Sequence, residues 1–371
     1  MRLPVACAVW LVLGIAACDT PPTEPKPETE NPSEVSRTDP VRAREQSPNC
    51  PNRCGYALDV GMPSARLLGL MENATLFGAS NRTPFLWHAQ RGGRVLPAKA
   101  PESGGQVSVI AVSDWGQMAG VYITPEGGAS AMAWEPDGTP VYVTAGPGGA
   151  RIEGFSRALN ENSVIVGEGR PSGDLGVSRA FRSHYRDGFR WLTAAGVESR
   201  AADVNFSGAV VGEYWPNPNT IHAFLWTPGG GFQDLGQGRA TAISETGYVV
   251  GMRFGSPARG FLRTPQGETL LLEPGWQPID VNHWGEVLLQ GHPAGMQTEC
   301  KIGVWYRGYG LLELSSPVAD SPYCYVSSIN SWGDVAGGVF KDVPSSEYGG
   351  RTRVFTPVLW TWQGNAHRYA R

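Results

Sequence analysis

Charge is scarce in this chain of 371 residues: 17% are Asp, Glu, Lys or Arg, against about a quarter in an average soluble protein. The net formal charge is −4, so no broad positive field attracts nucleic acid, and a nucleic-acid partner is not expected. Long apolar runs are missing too. The longest, Val5 to Ala17, falls short of the ~20 residues a bilayer-spanning helix needs. Histidine is rare, with 6 copies, and none stands near another His, a Cys or a carboxylate at a ligand spacing. No H-E-x-x-H, G-x-S-x-G, Walker or EF-hand pattern occurs, so the sequence assigns no catalytic residue, no metal ligand and no cofactor. Abundant instead are Gly (49), Pro (30) and Trp (13). Gly and Pro are poor in helix interiors, and together with tryptophan they favour many short strands joined by tight turns.

The first 17 residues read as a signal peptide, with Arg2 ahead of the apolar run. Its end, Leu13-Gly14-Ile15-Ala16-Ala17-Cys18, resembles the lipobox of bacterial lipoproteins, with Ile15 where Leu is commoner. The resemblance implies cleavage before Cys18, a thioether-linked diacylglycerol on its sulfur and acylation of the new amino terminus. Several acyl chains together anchor a protein stably, as one alone does not. Asp19 leaves the choice between inner and outer membrane open. Residues 18–49 form a spacer rich in Pro and Glu with almost no aliphatic side chain, which cannot bury a core and stays extended.

From residue 50 to 371 the chain repeats itself. The clearest copies are Asn205-Phe206-Ser207-Gly208 with Gly212, Ser244-Glu245-Thr246-Gly247 with Gly251, and Asn330-Ser331-Trp332-Gly333 with Gly337. Looser copies end at Gly78, Gly120, Gly167 and Leu289, and the period of roughly 40 to 50 residues is that of a propeller blade. Asn or Ser with Gly three positions later fits a tight type I turn. An apolar pair before Trp follows, as at Phe85-Leu86-Trp87, Met132-Ala133-Trp134 and Phe224-Leu225-Trp226, and then a Gly-rich turn such as Pro228-Gly229-Gly230. Each repeat therefore reads as four strands. The expected fold is all-β, a seven-bladed β-propeller of four-stranded antiparallel blades, because stacking in a ring buries both faces of each blade and removes exposed edges. An open β-solenoid is the competing architecture. The segment Tyr56 to Gly61 resembles the closing strand of a repeat and is expected to complete the last blade from the N-terminal side.

These copies, with His222-Ala223-Phe224 and the variant Arg179-Ala180-Phe181, resemble the HAF-repeat proteins, a family of predicted extracellular bacterial repeats. The resemblance covers essentially all of the chain after the spacer. It implies an exported envelope protein with a propeller-like fold, and it implies no reaction.

Four cysteines remain once Cys7 leaves with the leader and Cys18 is lipidated: Cys50, Cys54, Cys300 and Cys324. An exported chain meets an oxidising compartment. Strand counting puts Cys300 and Cys324 on the same face, so the expected disulfides are Cys300 to Cys324 and Cys50 to Cys54. Trp87, Trp134, Trp226, Trp305 and Trp360 recur at a strand position and are expected to pack between blades. Trp115, Trp284 and Trp332 precede the turn Gly and offer either a sugar-stacking surface or packing over the neighbouring turn.

The loops between second and third strands vary in length and content, which marks their face as the expected binding face. Its ligand-binding candidates are Arg170, Asp174, Tyr214, Trp215, Arg253, His292, Tyr348 and Arg351. The function expected is a membrane-anchored, extracytoplasmic recognition or scaffold module that binds a protein or glycan in the envelope or outside the cell. The alternative is a propeller-fold hydrolase or lyase acting on envelope polysaccharide.

Overall fold

The computed structural model describes residues 53–362, apart from positions 59, 63, 89, 146–148, 185–187, 292–300, 315–322 and 345–350. The expected leader, the spacer, and Cys18, Cys50, His292, Cys300 and Tyr348 lie outside the described residues. Of Cys54 and Arg351 only the backbone is described.

The described chain is all-β, propeller-like and antiparallel. β2 (Arg66–Leu70), β3 (Leu76–Ser80), β4 (Thr83–His88) and β5 (Gly92–Val95) form one sheet. β6 (Gln106–Val112), β7 (Met118–Ile123), β8 (Ala129–Trp134) and β9 (Pro140–Tyr142) pair in sequence order. So do β10 (Ile152–Leu159), β11 (Ile165–Pro171), β12 (Arg179–His184) and β13 (Gly188–Trp191), and one pair, Ser130 with Glu153, joins the two groups. The next sheet runs β14 (Ser199–Val204), β15 (Val210–Asn217), β16 (Thr220–Thr227), β17 (Gly231–Ile243), β18 (Val249–Arg253), β19 (Arg259–Arg263) and β20 (Thr269–Pro274). Within it β17 pairs with β16 up to Gln237 and with β18 from Gly238. β21 (Trp276–Val281), β22 (Val287–Gly291), β23 (Ile302–Tyr306) and β24 (Gly310–Leu314) form the fourth sheet.

In the fifth sheet the two ends of the described residues meet. β25 (Tyr323–Ile329), β26 (Val335–Pro344) and β27 (Arg351–Trp362) are followed by β1 (Arg53–Ala57), in the order β1-β27-β26-β25. Arg53 faces Trp362 and Ala57 faces Val358, and the Leu58 N–H then donates to the Pro357 carbonyl at 2.9 Å. The closing strand is therefore Arg53–Ala57, a few residues upstream of the segment the repeat pattern singles out. An open solenoid has no such pairing.

The repeat motif has a local cause. Asn205 accepts on its backbone carbonyl from the Gly208 N–H at 2.9 Å, and on its side-chain oxygen from the Ala209 N–H at 3.0 Å. Both bonds close the hairpin, and Gly208 sits at φ +79°, a conformation that costs glycine little. The terminal Gly answers a different demand. β14 bulges between Ala201 and Asp203, and the facing strand comes so close that a Cβ on Gly212 would overlap the Arg200 carbonyl oxygen. The same overlap would occur at Gly120, Gly167, Gly251 and Gly337 with the facing carbonyls of Ser108, Phe155, Arg239 and Tyr325. Nothing in the structure explains why Leu289 stands at the equivalent place in β22.

Packing runs in a circle. Phe77 meets Met118 and Trp134, Ala133 meets Phe181, Val166 meets Phe224, and Val211 meets Phe261. Leu262 meets Leu289, Leu288 meets Trp360, and Leu359 meets Leu67, which returns the core to its start. Trp134 and Trp360 are fully buried, each such ring contributing on the order of 2–3 kcal/mol.

Candidate functional site

The tight turns after β2, β6, β10, β14, β17, β21 and β25 share one face, and each is tied to the next by side chains of the motif itself. Asn73 donates to Asp114 at 3.4 Å, and the Asp114 N–H donates to the Glu161 carboxylate at 2.9 Å. Asn160 donates to the Asn205 carbonyl at 2.7 Å, and Asn205 donates to the Ser244 carbonyl at 3.1 Å. Thr246 donates to the His283 carbonyl at 2.6 Å, and Asn282 donates to the Asn330 carbonyl at 3.0 Å. The Ser331 N–H donates to Glu72 at 2.9 Å and links the last repeat to the first. The turn Asn therefore does two tasks: its oxygen closes its own hairpin, and its amide reaches the next.

This belt carries a cleft of about 620 Å³ between the turns after β6, β10 and β14. Trp115 and Phe206 line it, 48% and 55% exposed. Both residues are tied to neighbouring turns. Trp115 donates from Nε1 to the Glu161 carbonyl at 3.3 Å, while the Phe206 N–H donates to Glu245 at 2.6 Å and its carbonyl accepts from Asn162 at 2.8 Å. Gln117, Glu161, Arg182 and His184 supply polar lining. Both oxygens of Glu161 accept from the Asp114 N–H, and burial raises its carboxyl above the ordinary range. Gln117 is 7% exposed, and its Oε1 meets no donor among the described residues. A buried carbonyl oxygen without a partner carries a desolvation penalty that a bound donor would relieve.

Neither a family model nor a curated protein matches this chain. Among solved structures it is similar to a chain of a mitotic checkpoint complex, at 12% identity and TM-score 0.48, over 93% of this chain and 99% of that one. It is also similar to dipeptidyl peptidase 4 of Porphyromonas gingivalis, at 9% identity and TM-score 0.47, over 80% and 53% of the two chains. A puromycin hydrolase matches at 13% identity and TM-score 0.44, over 82% and 52%. The likeness is one of fold alone. The chain spans about half the length of either hydrolase.

The loop-face candidates fall into separate groups with partners of their own. Arg170 faces Glu153 at 3.5 Å, and Asp174 caps its own loop by accepting from the Gly176 N–H at 2.8 Å. Tyr214 packs edge-on against Phe232 and His222, and burial beside Asp234 pushes its hydroxyl up to about 12. The Arg200 guanidinium lies 4.8 Å over the Trp215 ring, and Arg253 donates to the Leu235 carbonyl at 3.2 Å. Tyr214 and Arg253 meet across one peptide unit, whose Gly236 N–H donates to Asp234 at 2.8 Å while its Leu235 carbonyl accepts from Arg253. No hydrogen bond, ion pair or ring contact joins Arg170 or Asp174 to them among the described residues. His222 pairs with Asp234 at 3.0 Å, a strand-to-strand contact in keeping with its place in a packing motif.

Sequence reasoning pointed to Trp115 but missed its neighbours. Gln117, Arg182 and His184 occupy positions where the repeats differ from one another, so no periodicity marks them. Trp284 and Trp332 are exposed in the same manner, and Trp284 donates to the Ser331 carbonyl at 2.8 Å, yet neither lines the cleft.

Proposed function

We propose that this chain is a lipid-anchored recognition module of the bacterial envelope. In this reading seven four-stranded blades close into a ring, and the spacer holds that ring away from the membrane. The circular packing, the belt of turns and the pairing of β1 with β27 support the ring; the lipobox-like end at Cys18 and the resemblance to HAF repeats support the location. The cleft carries the functional reading, because it combines exposed aromatic rings with polar groups on turns tied to one another by hydrogen bonds, the arrangement that binding sites use. Capture of a protein or glycan therefore falls to the turn face rather than to the variable loops.

The anchor has a direct test. Cys18→Ala is expected to leave an unacylated protein that stays in the aqueous phase when detergent is partitioned, whereas the wild type enters the detergent phase. Acyl-free wild-type Cys18 in mass spectrometry contradicts it.

Disulfides Cys50 to Cys54 and Cys300 to Cys324 belong to the same reading. The rival link from Cys54 to Cys324 conflicts with the sheet order: β27 and β26 lie between β1 and β25, three strand spacings of ~4.8 Å, well beyond the ~7 Å limit for bridged Cα atoms.

The second reading, a hydrolase or lyase, draws on Glu135 and Glu161, which both line the cleft. Glu161 is raised by burial as a general acid would be, but its two oxygens already hold the neighbouring turn. Incubating the detergent-solubilised protein with cell-wall and polysaccharide preparations separates the two. Saturable capture with no released product is the expected result. Release of product that stops in Glu135→Gln or Glu161→Gln protein establishes the enzyme.

A further inference from the structure

Resting on the recognition reading just given, we propose that the turn-face cleft is a carbohydrate subsite for uncharged oligosaccharides, with Trp115 and Phe206 as stacking platforms and Gln117 as the group that reads a hydroxyl or amide.

A sugar ring presents an apolar C–H face and a rim of groups that both donate and accept, so its site needs flat rings and mixed polar partners close together. The cleft supplies both. Trp115 and Phe206 project from turns two repeats apart and both line the cleft; the Trp115 ring is held by its indole N–H, and the Phe206 backbone is fixed by bonds to the neighbouring turns. The hydrogen-bonded Trp115 ring loses little conformational freedom when a ligand stacks on it. Gln117 lines the cleft, and its Oε1 is buried without a donor among the described residues; a rotation of this side chain toward the cleft would let a ligand O–H or N–H satisfy it.

Charge selects the class of sugar. The lining includes two carboxylates, Glu135 and Glu161, against one guanidinium, Arg182, with His184 beside it. No surplus of positive charge is available to neutralise an acidic polymer, and Glu161 is already desolvated by its own surroundings. A uronate or phosphate would bring like charge against these carboxylates. The cleft volume of about 620 Å³ falls within the ~300–1,000 Å³ of sites that hold small ligands.

The other turn-face tryptophans give the control. Trp284 has the same inter-turn hydrogen bond as Trp115, but it lies outside the cleft. A purely structural role would make the two equivalent.

The test uses the detergent-solubilised full chain titrated calorimetrically with chitotetraose and cellotetraose, with tetragalacturonate as the charged probe. At least one neutral tetrasaccharide is expected to bind, with the charged one much weaker. Trp115→Ala and Phe206→Ala should each lower that affinity by about tenfold or more, and Gln117→Leu by several-fold. Trp284→Ala should leave it unchanged. Melting temperatures are read alongside; if Trp115→Ala disturbs folding, Phe206→Ser and Gln117→Leu decide. Neutral binding that survives these changes and is lost in Trp215→Ala or Arg253→Ala protein overturns the subsite but not the module. Preferred binding of tetragalacturonate, or of a protein alone, overturns the ligand class. No saturable capture from any cell-wall or polysaccharide preparation removes the recognition reading itself.

Discussion

Deleting residues 53–60 is expected to abolish cooperative folding, although these residues lie at the edge of the described part of the chain. They supply β1, which completes the sheet of β25, β26 and β27, and they bring Leu58 and Val60 into a cluster with Leu67, Trp87 and Leu359. Burying the two aliphatic side chains contributes ~1.5–3 kcal/mol each, and the ladder of five residue pairs adds about 1 kcal/mol per backbone hydrogen bond. The sum approaches the ~5–15 kcal/mol by which a typical domain exceeds its unfolded state. The deletion also leaves β27 as an unpaired edge open to intermolecular pairing. By contrast, deleting residues 19–49 should leave the melting temperature nearly unchanged, because the spacer lacks the apolar side chains of a core. Thermal unfolding followed by circular dichroism compares the two, and a sharp transition at the wild-type temperature in the chain lacking residues 53–60 would contradict the closure.

The same residues show how much could be read in advance. The turns were legible because Asn or Ser, with Gly three positions on, is a chemical requirement of the hairpin, and it recurs wherever the hairpin recurs. The terminal Gly was legible as a mark but not as a cause, since the bulge that presses the Arg200 carbonyl toward Gly212 is a property of two paired strands. The packing role of Trp134 and Trp360 followed from their period, and their complete burial agrees with it. The cleft was mostly hidden. Trp115 comes from one repeat, Arg182 and His184 from the next and Phe206 from the one after; only the belt of inter-turn hydrogen bonds brings them to one place. Loop length suggested the opposite face, yet Arg170, Asp174, Tyr214, Trp215 and Arg253 each have contacts within the chain that account for them.

Stability is expected to rise as the pH is lowered from 8 to 5, the reverse of ordinary acid denaturation. Asp203 and Asp280 stand two residues before the turn Asn of their repeats, and each accepts from a neighbouring repeat: Asp203 from the Ile243 N–H and Asp280 from the Ile329 N–H, both at 2.9 Å. Those bonds favour the ionised form, but burial outweighs them. Asp203 is pushed from 3.8 up to about 6, and Asp280, which also feels the charge of Asp203, up to about 7. Because both folded values lie above the unfolded one, the native state binds more protons between pH 3.8 and about 7. The stabilisation is complete below that window and is lost as the pH rises through it. A tenfold difference in proton affinity between the folded and unfolded chain is worth ~1.4 kcal/mol, so the pair together changes stability by a few kcal/mol. Glu161, Glu213 and Glu245 are raised by burial and act in the same direction. The depressed carboxyls of Asp137 and Asp234 oppose them only below pH 3.8. Urea unfolding at pH 5, 6, 7 and 8 measures the slope. In the double variant Asp203→Asn, Asp280→Asn the slope should be markedly shallower whatever its absolute stability, since an amide has no proton to exchange in this range. A wild-type stability that is flat or rising between pH 5 and 8 would show that the turn-face donors, not burial, govern these two carboxyls.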